Sequence, residues 1–242
     1  MGEIYSGAAR YYDRFYSGKD YAGEVDRLVG LAGLSPVDGS LTLLDVACGT
    51  GRHIEHLRGR FAVEGLDICP ELLEEARRRN PGIPFHEGDM TSFDLGRRFD
   101  AVVCLFSAIG YVRTTEGLGA AVGRMASHLA PGGVLAIEPW FTPADWRPDT
   151  VHGLYVDEPD LKIARINTSQ VRGKTSVLDM HYLIGTPAGT EHCVEHHELG
   201  LFERGEMEGA FRAAGLEVRF DVHGLTGRGL YLGRPDGRGA AR

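Results

Sequence analysis

Cysteine is scarce in this chain, and an apolar run long enough to cross a bilayer is missing altogether. Cys48, Cys69, Cys104 and Cys193 are scattered, and no pair has metal-ligand or redox spacing. They predict buried thiols in a reducing cytoplasm, not a disulfide framework. The longest apolar runs are strand-length, which excludes a membrane helix. The opening Met-Gly-Glu-Ile-Tyr carries no apolar segment behind a basic start, so no signal peptide is expected. Basic stretches interleaved with aromatics are also missing. With 26 Lys and Arg against 34 Asp and Glu, the 242-residue chain has a net charge of −8. That balance argues against nucleic acid and membranes as partners. The rest is ordinary globular composition, 43% hydrophobic and 25% charged, which fits one α/β domain of this length.

What the chain does have is a strand that runs straight into a glycine-rich turn. Leu41–Val46 is apolar except for Thr42 and for Asp45 near its end, and Cys48-Gly49-Thr50-Gly51 follows. Gly49 and Gly51 permit a sharp turn and a close backbone approach to a ligand. Arg52–Arg58 reads as a helix whose first N–H groups face a crevice. A second strand, Phe61–Leu66, ends in Asp67. That acid lies about 20 residues past the turn, where a doubly wound sheet sets a carboxylate on a ribose diol. The third glycine of the dinucleotide fingerprint is absent, because Ile54 stands in its place. Asp45 would repel a pyrophosphate and suits an ammonium group. S-adenosylmethionine, cationic and free of phosphate, therefore fits better than a dinucleotide.

Strands and helices alternate as far as Glu138, which predicts right-handed βαβ units and a parallel sheet. Helices are expected at Arg52–Arg58, Pro70–Arg79 and Glu116–Leu129. Residues 1–40 read as a helical cap, and 41–150 with 203–235 as the cofactor-binding α/β domain. Residues 151–202 change period. Leu161–Asn167, Ser176–Ile184 and His192–Leu199 alternate as strands and predict an inserted antiparallel sheet. Residues 236–242 read as a frayed tail. His192, Cys193, His196 and His197 invite a metal reading. A strand would split them between its two faces, so no metal is expected.

The order strand-Asp-x-x-Cys-Gly-Thr-Gly, Gly65-Leu66-Asp67, Gly88-Asp89-Met90, Phe99–Phe106 and Leu129–Leu135 resembles the motif series of class I methyltransferases. Tyr5-Ser6-Gly7, Tyr12-Asp13, Gly18–Tyr21, Glu138-Pro139-Trp140-Phe141 and Gly227–Leu230 extend the likeness over nearly the whole chain. Together they look like the sugar N,N-dimethyltransferases, which act on nucleotide-linked aminodeoxysugars in antibiotic biosynthesis. The resemblance implies a Rossmann-like class I methyltransferase sheet with helices on both faces. It also implies an inserted antiparallel sheet after the fifth strand, used for substrate binding and dimer contact. It further implies a cytoplasmic homodimer that methylates the amine of a TDP-linked sugar twice, at C3 by preference.

Carried over residue by residue, the likeness puts Tyr12, Tyr21, Asp45, Ala47, Gly49, Gly51, Asp67, Asp89, Met90 and Phe106 at the cofactor. Tyr5 and Tyr111 are candidates for the amine end, since a phenol can orient the nitrogen without ionising. Arg228, between two glycines, could fork onto a phosphate. Asn167, Ser169 and His181 could add hydrogen bonds, and Trp140 and Phe141 could wall the sugar pocket. The competing readings are a 4-amino sugar, another small-molecule acceptor, or a module that binds S-adenosylmethionine without turnover.

Overall fold

The computed structural model describes residues 11–35 and 40–236. Tyr5 and most of the expected tail lie outside them. Two helices come first, α1 (Tyr12–Phe15) and α2 (Tyr21–Ala32). Five strands follow: β1 (Thr42–Val46), β2 (Ala62–Asp67), β3 (Phe85–Glu87), β4 (Phe99–Cys104) and β5 (Leu129–Ile137). They are interleaved with α3 (Arg52–Leu57), α4 (Pro70–Arg79) and α5 (Thr115–Ser127). Four strands then run consecutively: β6 (Thr150–Glu158), β7 (Leu161–Arg172), β8 (Thr175–Thr186) and β9 (Gly189–Gly200). The last elements are α6 (Arg204–Ala213), β10 (Leu216–Asp221) and β11 (Leu230–Pro235).

The main sheet has the order β10-β11-β5-β4-β1-β2-β3. β1 to β5 are parallel, and β11 runs antiparallel between β5 and β10. The order reverses between β1 and β4, so the crevice opens beyond their carboxyl ends. Helices cover both faces. Leu118, Val122, Met125 and Phe211 pack on one side of the sheet, and Leu28, Ile54, Leu57 and Leu73 on the other. Local chemistry sets their ends. The Asp20 side chain accepts from Gly23 N at 2.9 Å to start α2, Pro70 opens α4, and Glu203 with Glu206 forms a capping box on α6.

The insert is an antiparallel meander, β6-β7-β8-β9. Its sequence shows three strand-like segments, whereas the structure has four strands. The additional one, β6, buries none of its residues deeply, so its alternation is faint. Each of β7, β8 and β9 extends several residues beyond its apolar run, because hairpin pairing carries the ladder further than burial does. Among the described residues, no helix is long and apolar enough to cross a membrane.

Candidate functional site

A cavity of about 950 Å³ lies between the carboxyl ends of the main-sheet strands and the inner face of the four-stranded sheet. Of the expected residues, Tyr12, Ala47, Gly49, Asp67, Asp89, Met90, Phe106, Tyr111, Trp140, Phe141, Asn167, Ser169 and Arg228 line it.

The acidic half is built at the carboxyl ends of β1, β2 and β3. Asp67 Oδ2 accepts from Gly49 N at 2.7 Å and Oδ1 from Cys69 N at 2.9 Å. The carboxylate is thus fixed against the glycine turn, with lone pairs to spare for a diol. Burial pushes its pKa up, although the backbone N–H groups pull it down. Asp89 Oδ1 accepts from both Thr91 N and Thr91 Oγ1, at 2.8 and 2.7 Å, which closes a tight polar turn. Asp45 sits one layer behind the cavity wall. It is buried, and its Oδ2 has no hydrogen-bond partner among the described residues. Burial first, and then Asp67, push it up to about 8.

The two glycines divide their labour. Gly49 has φ +55°, and a side chain there would meet open space. Gly51, with φ +72°, is needed for packing: a Cβ would fall 2.7 Å from Asn80 Nδ2 and 3.2 Å from Ala76 Cβ on α4. Tyr21 also departs from its expected place at the cofactor. It is buried behind the wall, with Lys19 Nζ 4.5 Å and Arg52 Cζ 4.9 Å from its ring centroid.

Beyond β4 the chain makes an unusual corner. Phe106 (φ +53°) and Ser107 (φ +62°) are both left-handed, a conformation costly for non-glycine residues. Fully buried Glu138 holds it, accepting from Phe106 N at 2.7 Å, while Ser107 Oγ donates to Pro139 O at 2.6 Å. The corner leads into a short 3₁₀ turn, Ala108–Val112, which presents Tyr111 to the cavity.

The basic half comes from the meander and the β10–β11 loop. Arg165 and Arg228 both line the cavity, and the Nε of each is buried without an acceptor among the described residues. Arg228 Nη2 stands 3.8 Å from Glu138 Oε1. Its guanidinium lies within 6.0 Å of the ring centroids of Phe106, Trp140 and Phe141. Trp146 completes an aromatic wall with Trp140 and Phe141.

His181 is the clear correction. It is exposed on the outer face of the meander and stacks on His192, with ring centroids 5.5 Å apart. The strand period explains this. Asn167 and Ser169 pair with Met180 and Leu178, so even-numbered residues of β8 share the cavity face and His181 points away.

The same alternation exposes residues the sequence reading passed over. Arg165 shares a face with Asn167 and Ser169. Glu195 and His197 share one on β9 and are both buried at the cavity. In the sequence the histidine-rich stretch around them resembles a metal motif and gives no sign of which face each residue takes. Among the described residues, no group of three or more His, Cys, Asp or Glu could hold a metal ion.

S-adenosylmethionine fits the acidic half. An orphaned buried carboxylate oxygen and two further acids, Asp67 and Asp89, suit its cationic and hydroxyl groups. The two acceptorless guanidinium N–H groups call for an anion on the other side.

Comparison with known proteins gives concordant results. A family model described as a methyltransferase domain matches residues 43–133. A dTDP-3-amino-3,4,6-trideoxy-alpha-D-glucopyranose N,N-dimethyltransferase from Streptomyces venezuelae is 42% identical, over 94% of this chain and 97% of its own. A dTDP-3-amino-3,6-dideoxy-alpha-D-glucopyranose N,N-dimethyltransferase from Streptomyces fradiae is 43% identical, over 98% and 95%. The S-adenosylmethionine-bound structure of CalS10, an amino pentose methyltransferase from Micromonospora echinaspora, superposes with a TM-score of 0.81. It is 39% identical and covers 97% of each chain.

Proposed function

Since the chain belongs to the family of S-adenosylmethionine-dependent dTDP-aminosugar N,N-dimethyltransferases, we propose that it methylates the amine of a TDP-linked 3-amino-deoxyhexose twice, in natural-product biosynthesis. The observation that carries this is the polarity of the cavity. Asp45, whose Oδ2 has no hydrogen-bond partner among the described residues, lies behind an acid-lined half, and Arg165 and Arg228 each offer in the other an Nε–H with no acceptor among the described residues. A cationic cofactor and a diphosphate substrate answer both.

S-adenosylmethionine, when bound, supplies a methyl group on a cationic sulfur. Asp67 takes its ribose hydroxyls, while Asp89 and Met90 flank the adenine. Ala47, Gly49 and Phe106 would border the methionine portion, with Asp45 behind them, and Tyr12 would cover it from α1. Arg228 and Arg165 hold the diphosphate, assisted by Asn167 and Ser169. Trp140 and Phe141, with Trp146, wall the sugar and exclude water. Tyr111 orients the amine, and holding the two reacting centres in register supplies much of the rate.

The same reading includes a homodimer formed through the outer face of the meander. By register, Tyr155, Leu183 and His192 form one row there and Ile166, His181 and Val194 the next. Leu183 is 52% exposed and Tyr155 68%, an apolar surface that a second copy would cover. It also places the enzyme in the cytoplasm, where its four free cysteines stay reduced. The test is turnover of a panel of 3-amino and 4-amino TDP-sugars by the purified protein. Double methylation of a 3-amino sugar is expected, and failure with every aminosugar overturns the reading.

A further inference from the structure

S-adenosylmethionine carries an α-carboxylate as well as its sulfonium and ammonium groups. Asp45, Asp67 and Asp89 suit the cations and the hydroxyls, and they would repel that carboxylate. Its partner has to be cationic, close to the methionine end of the cavity and short of acceptors. A cluster beside Phe106 meets these conditions.

Lys19, just ahead of α2, and Arg52, the first residue of α3, both stand over the ring of Tyr21. Lys19 Nζ lies 4.5 Å and Arg52 Cζ 4.9 Å from its centroid. Lys19 Nζ is also 4.9 Å from the ring centroid of Phe106, which lines the cavity. Arg52 directly follows Gly51, so the cluster adjoins the glycine turn. Both cations have donors to spare. Lys19 Nζ is buried and pairs with Glu24, and an ammonium has three N–H groups to place. Arg52 Nε is buried and has no hydrogen-bond partner among the described residues.

The groups facing this pair leave room for an anion. Burial raises the carboxyl of Glu24, but its contacts with His53 and Lys19 outweigh that and hold it below the usual carboxylate range. His53 Nε2 lies 2.9 Å from Glu24 Oε2, and burial pulls this imidazole down, so it is neutral near pH 7 and adds no charge. Glu55 Oε2 stands 3.5 Å from Arg52 Nη1 with its side chain 43% exposed, at the outer edge. Two cations therefore share a single buried carboxylate.

We propose that Lys19 and Arg52 bind the α-carboxylate of S-adenosylmethionine, with Tyr21 as the platform that holds both cations and Asp45 as the counter-charge to the α-ammonium. The zwitterionic end of the cofactor is thus matched by one buried acid and two buried bases. Tyr21 serves the cofactor through the two cations it supports. The cluster selects a complete amino-acid end, and so discriminates against decarboxylated S-adenosylmethionine, which keeps the same nucleoside and sulfonium. Only the cofactor is involved, so the assignment is independent of which acceptor the enzyme takes.

Binding calorimetry on the cofactor-free protein compares S-adenosylmethionine with decarboxylated S-adenosylmethionine. Wild type should bind the complete cofactor on the order of tenfold to hundredfold more tightly, the worth of hydrogen bonds to a charged group. Lys19→Met and Arg52→Gln should each shrink that ratio by weakening S-adenosylmethionine alone. The double variant should bring the two ligands close to equal affinity, and Lys19→Arg, which keeps the charge, should retain most of the ratio. A wild type that binds both ligands equally well overturns the proposal, whether or not any variant folds. So does an undiminished ratio in folded Lys19→Met with both affinities falling together, which is what a merely structural role produces. Neither result touches the aminosugar reading, which product analysis tests separately.

Discussion

Arg228 and Glu138 form an ion pair beneath the cavity, with Nη2 3.8 Å from Oε1 and Glu138 fully buried. The pair joins three segments that are distant in sequence. Glu138 follows β5, it accepts from Phe106 N at the corner after β4, and it also accepts from Thr226 in the β10–β11 loop. Arg228 therefore has two duties, as counter-ion to a buried acid and as an N–H donor toward the cavity.

Arg228→Ala should raise KM for the TDP-sugar on the order of tenfold to hundredfold, the usual worth of a hydrogen bond to a charged group. KM for S-adenosylmethionine should change little. Thermal unfolding should show a loss of about 1 kcal/mol, because Glu138 keeps its other donors. Steady-state kinetics with each substrate varied separately distinguishes these effects. An unchanged KM for the sugar nucleotide would remove Arg228 from the phosphate site.

Asp45 makes the cofactor-free protein sensitive to pH. Its pKa, pushed up to about 8 by burial and then by Asp67, lies above the unfolded value of about 3.9. The folded state thus holds a proton that the unfolded state has already lost. The stability this contributes is fully present below about pH 4 and is lost as pH rises toward 8. Asp45→Asn should flatten that part of the melting curve against pH. A cationic ligand favours the ionised form, so cofactor binding near pH 7 should release a proton. Calorimetry in buffers of different ionisation enthalpy reads this directly, and no buffer dependence would contradict it.

The two turn glycines should respond differently to alanine. Gly51→Ala combines a left-handed backbone with a Cβ driven into Asn80 and Ala76, and should cost about 1–3 kcal/mol of stability. Gly49→Ala meets no atom, so its stability loss should stay near the left-handed strain of about 1 kcal/mol. Because Gly49 lines the cavity, its replacement should instead weaken cofactor binding. Melting curves and cofactor titrations on both variants separate the two roles.

Much of this was legible in the sequence because its physics is local. A short apolar run, an acid and two glycines define the crevice, and the acid at the end of the next strand lines its polar wall. Pro70 marked the start of its helix correctly. The far side of the cavity was harder to read, since there the face on which a side chain lies depends on strand register. His181 was assigned by its chemistry and fell on the wrong face. Arg165, two residues from Asn167, was overlooked although it shares the cavity face. His197 meets Tyr111 across 86 residues, a contact that no spacing rule encodes. Gly51 looked like a ligand-approach glycine because helix packing imposes the same requirement for a missing Cβ.

The dimer reading predicts that Leu183→Glu yields a monomer. Leu183 is half exposed in the single chain, so the substitution should leave the melting temperature of that chain nearly unchanged. Light scattering after size exclusion reads the mass. Wild type should run as a dimer and the variant as a monomer, and a monomeric wild type would contradict the assignment.

The most direct test is product analysis. Purified protein is incubated with S-adenosylmethionine and, in parallel, with 3-amino and 4-amino TDP-deoxyhexoses, and the products are weighed by mass spectrometry. The gain of two methyl groups on a 3-amino TDP-sugar, with slower or no turnover of the 4-amino sugars, is the predicted result. No methyl gain on any aminosugar, from protein that binds S-adenosylmethionine, would contradict it.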